Sequence, residues 1–417
     1  MRFSHLFTKT KKEAPRDEVA KNAVLLVRGG FIDKVSAGVY TFLPLGVRVL
    51  KKIEAIIRFE MNTMGAQEIL MPSLHPKENW EKTGRWESMG DLYKVTDTHG
   101  REFALGPTHE EIVVPLMREF ISSYKDLPVA VYQFQNKFRM ELRAKSGLLR
   151  GKEFLMKDMY SFHADEENLT AYYEAMKETY KRVFSALGIS SRTYLTFASG
   201  GTFSKYSHEF QTVTDAGEDT IFLCESCAVA INKEIADEKK CPQCGRTDLR
   251  EKRSIEVGNI FELKTKFSDP FELSYKDEKG NLRAVLMGCY GLGLSRLLGA
   301  VVEVSSDERG IIWPRSIAPF GAHLTALGIE KQNVKEKAEE IYKKLSEANI
   351  EVLYDDREAS AGVKLSDADL VGIPRIIIVS ERTISKGEVV EIKDRESGAT
   401  EDVPIAEIPR QFSSFAI

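Results

Sequence analysis

Residues 138–163 read FRMELRAKSGLLRGKEFLMKDMYSFH. The stretch holds six Arg or Lys residues, and its later part, FLMKDMYSF, alternates apolar and polar side chains as a half-buried strand does. The pattern predicts a hairpin with a basic turn between two strands. Arg139 and Glu141 share parity on the expected strand, so both side chains should face one side. A guanidinium clamps a phosphate or carboxylate by paired hydrogen bonds, and a carboxylate accepts from an amino group. Arg150, across the turn, could reach the same ligand. A charged hairpin of this kind could hold polyphosphate; a surface salt-bridge ladder would read the same way.

The rest of the chain supplies the sheet. At 417 residues, 42% hydrophobic and 29% charged, it is long enough for two or three domains with large cores. A net charge of −4 means that any nucleic-acid surface must be locally basic. No apolar run approaches a membrane span, and the first residues lack a secretory signal, so a cytoplasmic protein is expected. LGVRVLKKIEAIIRFEMNTM (45–64) has helical spacing between Pro44 and Gly65, and AQEILMP (66–72) reads as a short strand. A second helix is expected over 165–187, opened by Asp165, with strands near 192–198, 208–214 and 284–289. Strands that follow one another directly point to an α+β domain on an antiparallel sheet. Beyond Ser316–Gly321 the pattern changes to strand (323–328), helix (332–347), strand (351–355), short helix (364–371) and strand (375–380), which predicts a separate α/β domain.

Further constellations carry chemistry. In MGCYGLGLSRLLGA (287–300), Gly288, Gly291 and Gly293 bare the backbone before a helix that bears Arg296. It lacks the Lys-Ser/Thr of a P-loop. LGPTHEE (105–111) offers Thr108 and Glu110 at alternating positions, although Thr108 could equally cap a helix. Cys224-x2-Cys227, thirteen residues, and Cys241-x2-Cys244 have zinc-ribbon spacing. Reduced structural cysteines or an iron–sulfur centre are the alternatives.

FRxE, an Arg after a loop, and GLGxSR resemble motifs 2 and 3 of the class II aminoacyl-tRNA synthetases, and the helix ending in GAQEILMP resembles their motif 1. RWESMGDLYK, LGPTHEE, LLRGKEFLMKDMYSFH, SHEFQ, IEVGNIF, MGCYGLGLSR and DDREASAGVKLSDADLVGIP resemble the bacterial-type prolyl-tRNA synthetases, from one end of the chain to the other. SHEFQ and the last of these argue against the threonyl enzymes. The resemblance implies a proline–tRNA ligase that makes prolyl-adenylate from L-proline and ATP with Mg2+, then charges tRNA(Pro). It implies that Arg139 bridges the proline carboxylate and the α-phosphate, that Glu141 receives the adenine amino group, and that Arg150 and Arg296 hold the outer phosphates beside Gly291 and Gly293. Thr108 and Glu110 match the pair that receives the proline ammonium; Met156, Asp158, Tyr160, His208 and Cys289 match positions around that pocket. Asp355, Arg357 and Lys364 lie where the family meets anticodon bases, and motif 1 implies a homodimer.

The expected domains are a catalytic domain at 1–221 and 251–316, a small cysteine insertion at 222–250, and an anticodon-binding domain at 317–417. The resemblance does not supply the cysteines. They stand where bacterial relatives commonly carry a large editing domain, for which the gap between DTIFL (219–223) and IEVGN (255–259) is too short. No hydrolysis of alanyl-tRNA(Pro) by this chain is therefore expected, leaving that task to a separate protein where it is needed. A catalytically silent paralogue would have lost motif arginines, and Arg139, Arg150 and Arg296 are all present.

Overall fold

Val129–Phe138 and Glu153–His163 pair antiparallel, with Phe138 opposite Glu153, so the basic segment is the turn of a hairpin. This computed structural model describes residues 1–13, 18–142, 144, 146–199, 206–236 and 240–412. The chain divides into two compact units, one of residues 36–40 and 53–300, the other of 1–35, 41–52 and 301–417.

In the first unit the hairpin lies in a nine-stranded sheet. In pairing order its strands are Tyr206–Val213, Thr193–Ser199, Val229–Asn232, Asp219–Cys224, Arg250–Lys264, Leu286–Gly293, Glu153–His163, Val129–Phe138 and Gln67–Glu68, and Tyr206–Val213 also pairs with Arg250–Lys264. Its centre is antiparallel throughout, as expected for strands that follow one another without long crossovers. The Glu166–Ala186 helix covers one face. Asp165 caps it, accepting from the Asn168 N–H at 2.8 Å, which is worth about 1 kcal/mol. Its buried stripe includes Leu169, Met176, Tyr180 and Val183.

Alternation then assigns the residues of the Glu153–His163 strand to faces. Lys157 reaches the Tyr180 hydroxyl of the helix at 2.7 Å, so odd-numbered residues of Glu153–His163 point to the helix and Met156, Asp158 and Tyr160 point away. Across the ladder Cys289 is opposite Tyr160, Gly291 opposite Asp158 and Gly293 opposite Met156, all on the open face. The cysteine segment is joined to this sheet: Asp219–Cys224 and Val229–Asn232 are two of its strands.

The Pro44–Thr63 helix begins on its proline and ends at Gly65, whose φ of +76° is the left-handed stop expected after a helix. Ile53, Ile57 and Met61 are fully buried.

The second unit contains a five-stranded sheet in the order Val352–Asp355, Ala322–Ala326, Arg375–Val379, Val389–Asp394, Thr400–Pro404. The first three are mutually parallel, connected through the Gln332–Glu347 and Ala361–Val371 helices, as the alternation of elements predicts. The last two add antiparallel. Residues 1–35 and 41–52, expected with the catalytic part, group with this unit. The cause is side-chain docking: Arg2 meets Glu339 at 2.6 Å, Ser4 binds Asp356, and Arg48 donates to the Pro319 carbonyl at 2.7 Å.

Candidate active site

Just past the Val129–Phe138 strand, the Arg139 N–H still donates across the hairpin to the Lys152 carbonyl at 2.9 Å, and its side chain turns toward the segment after Leu105. Its guanidinium donates to the Pro107 carbonyl at 3.4 Å and lies 5.3 Å from the Phe154 ring. Among the described residues no carboxylate pairs with it. Burial and the nearby Arg296 charge both lower its proton affinity, so the site is arranged to receive an anion. Arg296 is held from behind: it donates to the Leu149 carbonyl at 2.9 Å and the Glu256 carbonyl at 2.8 Å, and meets the Glu256 carboxylate at 3.3 Å.

Pro107 precedes Thr108, and this brings the next pocket against Arg139. Thr108 donates to Glu110 Oε2 at 2.5 Å and Arg85 stands 3.5 Å from the same oxygen. Cys289 Sγ lies 3.6 Å from Glu110 Oε1. Glu110 opens the Glu110–Arg118 helix, whose N-cap position is His109, so Thr108 is not the cap. Tyr160 is buried beside this pocket, its hydroxyl 3.5 Å from Thr108 Oγ1, and Met156 is buried on the same face of the sheet.

A buried polar network fixes the floor. Asp158 accepts from Tyr160 and Gln133, each at 3.1 Å, and pairs with Lys137 at 2.7 Å. Lys137 is fully buried and also lies 2.6 Å from His109 Nδ1. That nitrogen must accept from the ammonium, leaving Nε2–H to donate to the Pro72 carbonyl at 3.1 Å. Asp158 thus supports Tyr160 from below rather than forming the pocket wall. Arg85 also grips Glu111 at 2.9 Å, whose carboxyl is pushed up to about 7 by burial.

Two placements differ from the sequence reading. The strand stops at Phe138, so Arg139 and Glu141 do not share a strand face; Glu141 bonds back to the Arg139 carbonyl at 2.7 Å and turns its carboxylate to Arg150, also at 2.7 Å. Arg150 is shared with Glu218. His208 points to the helix-covered face, its Nδ1 2.7 Å from the Tyr173 hydroxyl and its ring packed on Phe197, so it does not border the pocket. Its neighbours take the open face instead. Gln211 donates to Glu209 at 3.0 Å and to Asp219 at 3.1 Å, and Gln211 is opposite Glu256 in the ladder. Burial, and then the Glu256 charge, push the Glu209 carboxyl up to about 7. Sequence reasoning missed Glu209, Gln211, Asp219 and Glu256 as a group. Their signal was present in SHEFQ, DTIFL and IEVGN, as alternate residues once the covered face is known.

Gly291 and Gly293 keep the floor bare. A Cβ at Gly291 would stand 2.7 Å from Asn259 Oδ1.

In the second unit Asp355 and Lys364 are fully buried, with Lys364 donating to the carbonyls of Ala326 at 2.6 Å and Asp355 at 3.2 Å. Neither side chain is presented to a large ligand, contrary to the anticodon expectation. Arg357 remains partly exposed, tied to Asp355 at 2.7 Å and Asp367 at 2.9 Å.

The four cysteine sulfurs lie within 4.8 Å of one another, and Cys224 and Cys244 are 3.6 Å apart. A zinc tetrahedron with bonds of about 2.3 Å has edges of about 3.8 Å, so the cage fits that ion. Phe197 packs against the cluster as it does against His208, which places it on the helix-covered side of the sheet, away from Arg139.

Residues 93–305 match the family described as the tRNA synthetase class II core domain (G, H, P, S and T), and residues 316–414 match an anticodon binding domain. The proline–tRNA ligase of Geobacillus kaustophilus is 35% identical over 561 aligned positions, covering 98% of each chain. That alignment is longer than the 417 residues here, so the relative carries segments with no counterpart in this chain. The proline–tRNA ligase of Sulfurimonas denitrificans is 39% identical over 420 positions, covering 95% of each. Among solved structures, Giardia lamblia prolyl-tRNA synthetase in complex with prolyl-adenylate superposes with a TM-score of 0.77 at 21% identity, over 92% of this chain and 74% of that one.

Proposed function

The chain belongs to the proline–tRNA ligases of the class II synthetases, and from that premise we propose how its own residues perform the reaction. It activates L-proline with ATP and transfers the prolyl group to tRNA. The observation that carries the assignment of roles is the Arg139 guanidinium, without a carboxylate partner among the described residues and beside the Thr108–Glu110 pocket.

Glu110 receives the secondary ammonium of proline, with Thr108 fixing the carboxylate's orientation. Met156, Tyr160 and Cys289 bound the ring. The proline carboxylate then lies toward Arg139, which also contacts the α-phosphate. A carboxylate oxygen attacks phosphorus, the bond to the β,γ-phosphates breaks, and pyrophosphate leaves with its electron pair. Arg139 holds both reactants and stabilises the charge that builds on the phosphoryl oxygens. Glu141 accepts from the adenine amino group, and Arg150 and Arg296 hold the outer phosphates along Gly291 and Gly293. A terminal ribose hydroxyl of tRNA next attacks the prolyl carbonyl, and AMP departs.

Glu256, with Glu209 and Asp219 nearby, suits Mg2+, which is bound through one or two carboxylates plus substrate phosphates rather than in an all-protein cage. When bound, the ion neutralises phosphate charge. Zn2+ in the Cys224, Cys227, Cys241 and Cys244 cage has a structural role, since four thiolates leave no open position for substrate. The exposed Phe59 and Leu70, 69% and 77% accessible on the motif 1 helix and the segment after it, form part of a homodimer surface. No helix among the described residues is long and apolar enough to cross a membrane, and the enzyme works in the cytoplasm beside its tRNA.

Proline-dependent ATP–pyrophosphate exchange tests the reading. Exchange with proline well above that with threonine, serine or glycine is expected. Exchange with none of them overturns it.

A further inference from the structure

Near the start of the chain Phe3 is sandwiched between the His323 ring, centroids 6.1 Å apart, and the Arg357 guanidinium, 3.9 Å from the ring centre. Residues 8–12 then run past the end of the Lys21–Arg28 helix. The Lys11 N–H donates to the Arg28 carbonyl at 2.8 Å, and Arg28 Nε donates back to the Lys11 carbonyl at 3.4 Å. Between this strap and the Ala361–Val371 helix is a cleft of about 730 Å³. Lys9, Lys11, Lys12, Arg28 and Arg357 line it, against the one acidic residue Asp367.

Asp367 is already paired with Arg357, and Lys11 with Asp33 at 3.1 Å. Lys9 and Lys12 are exposed and have no carboxylate in salt-bridge reach among the described residues. Phe7 lies in sequence between Leu6 and Thr8 of the cleft wall, and the residue is 76% exposed. Unneutralised lysines interleaved with an exposed aromatic ring suit a polyanion whose bases can stack, as single-stranded RNA does. An acidic peptide would satisfy the lysines but leave the ring unused.

We propose that this strap is an RNA-binding element for the anticodon arm of tRNA(Pro), with phosphates in the cleft at Lys9 and Lys12 and an unpaired base on Phe7. The proposal rests on the tRNA-charging reading above. It extends the expected RNA surface of the anticodon domain to residues outside that domain, and it replaces the buried Asp355 and Lys364 as contacts.

The test uses the full chain, a tRNA(Pro) transcript and a labelled hairpin of its anticodon arm, with affinity measured across a salt series. The Lys9→Ala/Lys12→Ala double variant is expected to lose about tenfold or more in affinity for both RNAs. The slope of log affinity on log salt should fall by about 0.7–0.9 for each lost phosphate contact. Phe7→Ala should lose about tenfold, as removal of a stacking partner does. Lys9→Arg/Lys12→Arg should keep the wild-type affinity. Proline-dependent exchange, which needs no tRNA, should be unchanged in all three; its absence in the wild type would defeat the functional reading and not this one. Unchanged affinity and slope in the alanine variants overturn the proposal, as does a loss equally large in the arginine variant. A loss with whole tRNA and none with the hairpin overturns the assignment to the anticodon arm.

Discussion

Arg139 is held by one carbonyl, at 3.4 Å, and by the face of Phe154, so its removal leaves no buried carboxylate without a partner. Arg139→Ala is therefore expected to fold normally and to lose pyrophosphate exchange by about 10²–10³. Circular dichroism and exchange kinetics check both halves. Glu110→Gln removes the counter-charge for the ammonium. A charged hydrogen bond of about 1.5–3 kcal/mol predicts a KM for proline raised by about 10- to 100-fold, with KM for ATP little altered. Glu209 makes a prediction about pH. Its carboxyl is raised above the ordinary glutamate value to about 7, by burial first and then by Glu256. The folded chain therefore holds a proton that the unfolded chain releases above about 4.5. Its stabilising contribution is complete below about 4.5 and is lost as pH rises through about 7. Thermal melts without Mg2+ should fall across this window, and Glu209→Gln should flatten that fall. A variant with the wild-type slope would exclude Glu209 as its source.

At the scale of elements, the hairpin was legible because a strand buried on both faces still announces its turn through clustered charge. The Glu166–Ala186 helix was legible because Leu169, Met176, Tyr180 and Val183 repeat at helical spacing behind a capping aspartate. Face assignment was not. SHEFQ alternates in either register, and only Tyr173 of the Glu166–Ala186 helix shows that His208 is covered and Glu209 open. A bulge between Phe210 and Gln211 shifts the register again within the same motif. The cysteine turn makes its own prediction. Cys241→Ser should reduce bound zinc from about one per chain to near zero and lower the melting temperature, because Cys224, Cys241 and Val229 form a small apolar core of their own. While folded, the variant should keep the wild-type KM for proline, since the cage is on the helix-covered side. Elemental analysis with exchange kinetics reads both.

For the whole molecule the prediction concerns accuracy. Alanine carries the carboxylate and ammonium that Arg139 and Glu110 would hold and lacks only part of the ring. Each missing methylene is worth about 1–3 kcal/mol of discrimination, so some alanine should be activated. The segment from Cys224 to Ser254 is spent on sheet strands and a cysteine turn, leaving no room for a second hydrolytic domain. The chain should therefore leave preformed alanyl-tRNA(Pro) intact. Deacylation well above the uncatalysed rate would contradict this.

By itself the sequence determined which local structures form and which chemistry they carry. Glycine, proline and capping residues act within a few positions of themselves, and motifs such as FRME and GLGLSR keep their groups together along the chain. Tertiary structure decided which of those groups are available. Lys364 and Asp355 read as contacts for anticodon bases until two strand carbonyls surround the lysine and Arg357 closes over the aspartate. The first residues read as the start of the catalytic part until Phe3 is found between His323 and Arg357. At Phe3 and Ser4 burial and pairing depend on residues more than three hundred positions away, and no local pattern encodes them.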